Sequence, residues 1–170
     1  MLHYFNLDYS GDEVKIECLE SMFITDLNKP KQINSISILN SETTFCVGMD
    51  EGTLDVYSPN GSKNSGMALI QRINCADQGS ICKTASFSTD FSRENVFAYA
   101  TQKGNVYIHD LRVKLDVNTY NIGLKFGIPS AMATANMNST HKIVVGTMGG
   151  FIHLYDVRYN VPMEIYEHSK

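Results

Sequence analysis

The sequence predicts an all-β fold: a partial β-propeller of about three to four four-stranded antiparallel blades whose ring is incomplete. Three observations predict it. First, the stretch GTMGGFIHLYDVR beginning at Gly146 has a counterpart 46 positions earlier, ATQKGNVYIHDLR at Ala100, and a weaker one 52 positions before that, GMDEGTLDVYSPN at Gly48. Second, each copy joins a glycine-closed turn to strict alternation, as in Phe151, His153 and Tyr155 against Ile152 and Leu154, and a period of two is the signature of a strand. Third, no stretch carries a long helical period, so the repeat unit of about 40–50 residues is a small sheet rather than a helix pair.

The elements follow in order. Residues 1–30 form part of a blade, with strands over Tyr4–Asp8, Val14–Glu20 and Met22–Leu27. The first full blade covers residues 31–75 and opens on the apolar run Ile33–Leu39; Ala68–Ile73 follows its hairpin. The second covers 80–123, from Ile81–Ser88 through the Ala100 hairpin to Lys114–Ile122. The third covers 127–170, from Ile128–Ala135, rich in small residues that suit a crowded inner strand, to Val161–Ser169. Gly, Asn, Pro and Ser punctuate the joints. Together these make one domain over residues 1–170. In the repeated stretch Gly146 and Gly150 are assigned to the turn, and Asp156 with Arg158 to the far end of the strand.

At 170 residues and 43% hydrophobic content the chain is long and apolar enough for a real core. Its net charge of -4 argues against a basic surface for nucleic acid or an anionic bilayer. Cys18, Cys46, Cys75 and Cys82 form no metal-ligand spacing and no disulfide framework, so they read as reduced, partly buried thiols. The first twenty residues carry charges among every apolar group, which leaves neither a signal-peptide core nor a spanning segment and points to the cytoplasm.

No catalytic, cofactor-binding or metal site emerges. The five histidines are scattered, and His109 and His153 sit in strand alternation as structural residues. Asp50 and Glu51 belong to a turn. Gly149 and Gly150 lead into a strand, whereas a phosphate cradle leads into a helix. The informative polar residues are Asp110 with Arg112 and Asp156 with Arg158, the same pair in two copies. Residues i and i+2 of a strand share a face, so carboxylate and guanidinium can meet. A structural clamp at the end of the third strand is the first reading, and docking of a protein partner the second.

With His109-Asp110 and Tyr155-Asp156 standing where Trp-Asp is usual, the repeats resemble the WD-repeat family, in a form without tryptophan. A more specific likeness runs through about half the chain: AYAT before a turn, DLR at 110–112, G-I-x-S at 127–130, G-T-x-x-G at 146–150 and D-x-R-Y-x-x-P at 156–162. In these the chain resembles the C-terminal propeller of the regulatory subunit of class III phosphatidylinositol 3-kinase, a family that also carries a protein-kinase-like domain. The resemblance implies a non-catalytic scaffold whose partners are lipid-kinase complex subunits in endosomal sorting and autophagy. It also implies peripheral, indirect membrane association through that complex. The chain has no glycine-rich phosphate loop with a strand Lys, no HRD and no DFG, so kinase activity does not carry over. The alternative function, a substrate receptor for a cullin-ring ubiquitin ligase, rests on the likeness of the Asp-x-Arg repeats to adaptor-docking boxes. An incomplete ring leaves an apolar blade face unpaired, so the isolated chain is expected to be marginally stable.

Overall fold

The computed structural model describes residues 2–10, 13–22, 31–39, 44–59, 67–87, 95–137 and 140–168. They divide into two compact units, residues 1–31 and 32–170. The first holds an antiparallel hairpin of β1 (Leu2–Ser10) and β2 (Glu13–Met22). The third strand expected there, beyond Met22, lies outside the described residues.

The second unit is three four-stranded antiparallel sheets, each laid out in chain order from inner to outer strand. The first is β3 (Ile33–Ile38), β4 (Phe45–Met49), β5 (Thr53–Pro59) and β6 (Met67–Asn74). The second is β7 (Ile81–Ser86), β8 (Val96–Thr101), β9 (Asn105–Asp110) and β10 (Leu115–Asn121). A single 3-10 turn, Leu124–Phe126, leads to the third: β11 (Pro129–Met137), β12 (Thr140–Thr147), β13 (Phe151–Asp156) and β14 (Pro162–Glu167). These are the blades of a partial propeller.

Each central hairpin turns the same way, and glycine is the reason. Gly52, Gly104 and Gly150 have φ of 77°, 78° and 85°, where a side chain would strain the backbone. Their amides close the turns onto Met49, Thr101 and Thr147 carbonyls, a turn followed by a left-handed residue. Their own carbonyls then take the amides of Cys75, Ile122 and His168, which tie the end of each outer strand back to the hairpin. Gly146 differs from the sequence expectation. It lies within β12, opposite Ile152, because the turn begins only after Thr147.

Two apolar layers hold the blades together. Cys46, Leu54, Val56 and Ile73 of the first sheet pack with Ile81, Phe97, Tyr99 and Tyr107 of the second. Ala98, Ala100, Val106, Ile108 and Tyr120 on the opposite face of the second pack with Ile143, Val145 and Tyr155 of the third. The two central strands of the middle sheet are therefore covered on both sides, and every residue of β8 is buried. Each such aliphatic side chain contributes roughly 1.5–3 kcal/mol when fully covered. Gly48 allows the first layer to close: a Cβ there would stand 2.4 Å from Ile81 Cγ2.

The inner strands are joined by hydroxyls instead. Ser37 Oγ donates to the Thr84 carbonyl at 2.8 Å, Thr84 N donates to Ser35 Oγ at 2.9 Å, and Asn34 Nδ2 donates to the Ile81 carbonyl at 3.0 Å. Thr134 Oγ1 donates to the Ser86 carbonyl across the next junction. Short polar side chains on these strands thus satisfy one another across the junctions.

Candidate functional site

The two Asp-x-Arg pairs take one geometry. Asp110 and Asp156 are the last residues of β9 and β13, and each arginine lies in the turn beyond, so the pairing is a turn clamp and not a shared strand face. Asp110 Oδ1 accepts from Arg112 N at 2.9 Å and Nε at 3.0 Å, while Oδ2 accepts from the guanidinium at 2.6 Å. The corresponding distances from Arg158 to Asp156 are 3.0, 3.0 and 2.8 Å. Both carboxylates are buried, and the arginine side chains are 57% and 60% exposed. Hydrogen bonds from Arg112 hold Asp110 below the usual carboxylate range, and those from Arg158 bring Asp156 to about 2. Each guanidinium thus shows solvent its outer edge while its inner edge is occupied.

In the first blade this position is Ser58, and a different pair does the anchoring. Asp55 on β5, fully buried, accepts Arg72 Nε and a terminal guanidinium nitrogen across to β6, both at 2.7 Å. Sequence reasoning missed it because the partners are 17 residues apart and a mid-strand Asp reads as solvent-facing.

A second missed residue, Asp77, sits in the loop from the first blade to the second. Its Oδ1 accepts from Gly79 N at 2.7 Å and Cys75 Sγ at 3.1 Å, and its Oδ2 accepts from Thr101 Oγ1 and Asn105 Nδ2, each at 2.7 Å. Lys103 Nζ donates to its carbonyl. One carboxylate therefore pins the loop to the β8–β9 hairpin. Burial alone would raise its pKa, but the bonds from Asn105, Thr101, Cys75 and Gly79 outweigh this and bring it to about 2.

His109 is buried in a polar network. Its Nδ1 meets Asp116 Oδ1 at 2.8 Å, its Nε2 meets Gln71 Nε2 of the first blade at 3.2 Å, and Tyr99 OH donates to Asp116 Oδ2 at 2.9 Å. A neutral ring with its proton on Nδ1 satisfies both contacts, because the Gln71 amide nitrogen can only donate. This network floors a cleft of about 300 Å³ between the outer strands, flanked by Arg72, Lys114 and Leu115. Both ring nitrogens are engaged, so His109 braces the blades and has no free edge for acid–base work. His153 is also buried, but both its nitrogens lack a hydrogen-bond partner; it packs edge-on against Phe126, and burial lowers its pKa.

Among the described residues no three His, Cys, Asp or Glu side chains gather as a metal site. Cys46 and Cys75 are buried free thiols, pushed by burial to about 12 and about 11. No described helix is long and apolar enough to cross a membrane. What the described residues offer is surface: repeated blade rims, exposed guanidinium edges, and exposed apolar side chains on the first and third blades, among them Ile36, Ile38, Ile152 and Tyr166.

No family model matches the chain. It is 29% identical over 144 residues to a probable serine/threonine-protein kinase, vps15, of Dictyostelium discoideum, a match covering 78% of this chain and 7% of that one. To the serine/threonine-protein kinase VPS15 of Arabidopsis thaliana it is 22% identical over 141 residues, covering 78% of this chain and 9% of the relative. The chain thus spans less than a tenth of the length of either relative. Its fold matches a chain in the crystal structure of the mitotic checkpoint complex with a TM-score of 0.65 and 14% identity, over 97% of this chain and 46% of the other. The chain is a partial WD-repeat propeller that resembles Vps15.

Proposed function

We propose that the chain is a non-catalytic scaffold, a protein-interaction module of a class III phosphatidylinositol 3-kinase complex that acts in endosomal sorting and autophagy. The observation that carries this reading is the match to vps15 over 78% of the chain, on a fold made of repeated sheets. Two features support it. Several buried or half-buried polar groups are engaged in bracing the fold: Asp110 and Asp156 by arginines, Asp77 by four donors, His109 on both nitrogens. The sequence also lacks the phosphate loop, HRD and DFG of a protein kinase. On this proposal the chain resides in the cytoplasm and reaches endosomal or autophagic membranes through the subunits it binds. Affinity purification of the tagged chain should recover lipid-kinase complex subunits, and a pull-down that returns none of them sinks the assignment.

A second reading, a substrate receptor for a cullin-ring ubiquitin ligase, draws on the two guanidinium edges exposed at equivalent points of adjacent blades. It requires Arg112→Glu with Arg158→Glu to abolish adaptor binding while the circular dichroism spectrum holds. Unchanged binding removes it.

A further inference from the structure

The two junctions between the four-stranded blades use equivalent positions but are finished differently at their outer ends. At the second, Tyr155 of β13 packs on Tyr120 of β10 with ring centroids 4.6 Å apart, and Asn118 Nδ2 donates to the Val157 carbonyl at 3.3 Å. At the first, Ile73 and His109 stand where the second has Tyr120 and Tyr155, by register and repeat spacing. An isobutyl-sized chain and an imidazole fill less space than two phenol rings, and the cleft of about 300 Å³ lies over them. The charges differ as well. Arg72, Lys114 and Asp116 of the first junction correspond to Thr119, Asn160 and Pro162 of the second, which closes without any charge at these places.

Two of those three charges have work inside the fold. Arg72 holds Asp55 through two bonds of 2.7 Å, and Asp116 takes His109 on one oxygen and Tyr99 on the other. Lys114 has none: its ammonium has no ion-pair partner among the described residues, and its backbone sits at φ 57°, a region few lysines occupy. The carboxylates at the cleft are therefore already occupied, and the groups left facing outward are donors. These are the Lys114 ammonium, the outer edge of Arg72, whose side chain is 48% exposed, and the Asn74 amide. Beside them Leu115, 65% exposed, presents aliphatic surface.

We propose that this cleft is a binding site for an acidic peptide: it takes the carboxylate of an aspartate or glutamate in an extended segment and lays a neighbouring aliphatic side chain on Leu115. Outward donors without outward acceptors select an anion. The charge balance selects a single one. Arg72 and Lys114 are set against Asp55 and Asp116, so a monoanion finds Lys114 to pair with, whereas a dianionic phosphate would face Asp116 with no further cation to balance it. The volume, about 300 Å³, stands at the lower end of small-molecule sites and suits one or two side chains of a peptide. The site needs only the fold described above, so it holds or fails separately from the lipid-kinase assignment.

The test uses the intact chain and a degenerate pool of fluorescein-labelled hexapeptides with aspartate fixed at the third position and uncharged residues elsewhere. A matched pool carries asparagine at that position, and binding is read by fluorescence polarisation. The aspartate pool should bind about tenfold or more tightly than the asparagine pool. Lys114→Glu should abolish that preference while leaving the urea midpoint in place. Leu115→Asp, at an exposed position of the same cleft, should give the same loss and serves should residue 114 disturb its turn. Lys125→Glu makes the same change in net charge beyond the other end of β10 and should leave binding as it is. Equal affinity for the two pools overturns the proposal, as does a loss with Lys125→Glu equal to that with Lys114→Glu, which is a general charge effect. Tighter binding of a pool with phosphoserine at the fixed position also overturns it, since the site would then be one for a phosphopeptide.

Discussion

At the residue scale the fold depends on a few buried and half-buried polar groups whose partners decide their worth. Asp77 draws four donors from three segments into one carboxylate, and Asp77→Ala would strand Thr101 and Asn105 without acceptors. The expected cost is about 1–3 kcal/mol by urea unfolding. The same group sets the acid limit. Its pKa is about 2 in the fold against an ordinary 3.8, so the unfolded chain binds its proton first, and stability present above about pH 4 is lost as pH falls toward 2. Asp77→Asn should flatten that part of the stability profile. His153 works in the opposite range. Burial disfavours its charged form, so stability is full above its ordinary value of 6.5 and declines as pH falls below it, until the folded ring also protonates. His153→Phe keeps the contacts with Phe126 and Tyr155 and removes two unpartnered nitrogens. It should raise the melting temperature more below about pH 6.5 than above it and remove this slope.

At the scale of the element, strands were legible because alternation needs only local sequence, and glycine marks each central turn. Placement of Gly146 was not legible. In the repeated stretch Gly146 and Gly150 look alike, yet only Gly150 has a positive φ, while Gly146 serves by its size within a strand. The clamps were visible as Asp-x-Arg because both partners lie in one turn; the bonds of Asp77 to Thr101 and Asn105, 24 and 28 residues away, required the fold to bring them together. The contrast between equivalent glycines is measurable. Gly48→Ala pushes a methyl into Ile81, which is buried and has nowhere to go, and should cost about 1–3 kcal/mol. Gly146→Ala meets only Ala131 Cβ, at an ordinary 3.5 Å, and should change stability by less than about 0.5 kcal/mol. Arg112→Ala removes the exposed partner of Asp110 but leaves the carboxylate its bond from the residue-112 amide, so it should lower the urea midpoint less than Asp77→Ala does.

At the scale of the whole molecule the middle blade is the keystone, because its two central strands are covered on both faces. Ile108→Ala, at a fully buried position of the layer shared with the third blade, should cost about 2–5 kcal/mol, read from the urea midpoint. The slowest-exchanging amides should fall in β8 and β9, and faster ones in β14, whose residues are mostly exposed. Composition and repeat spacing revealed how many blades to expect, since each copy carries its own pattern. They did not reveal which faces are covered, since that depends on neighbours the pattern does not name.

The hydroxyl contacts between inner strands span similar lengths of chain: Ser37 to Thr84 is 47 residues and Thr134 to Ser86 is 48. No blade in this part of the molecule waits for a distant stretch of polypeptide before it finds its neighbour. During synthesis each new sheet, once it clears the ribosome, meets a partner already folded one repeat behind it, and order can advance stepwise along the chain. The latest sheet to emerge always presents an uncovered apolar side, so the growing propeller carries a moving sticky front, and the Val144–Ile152 face is where that front stands at the end of the third blade.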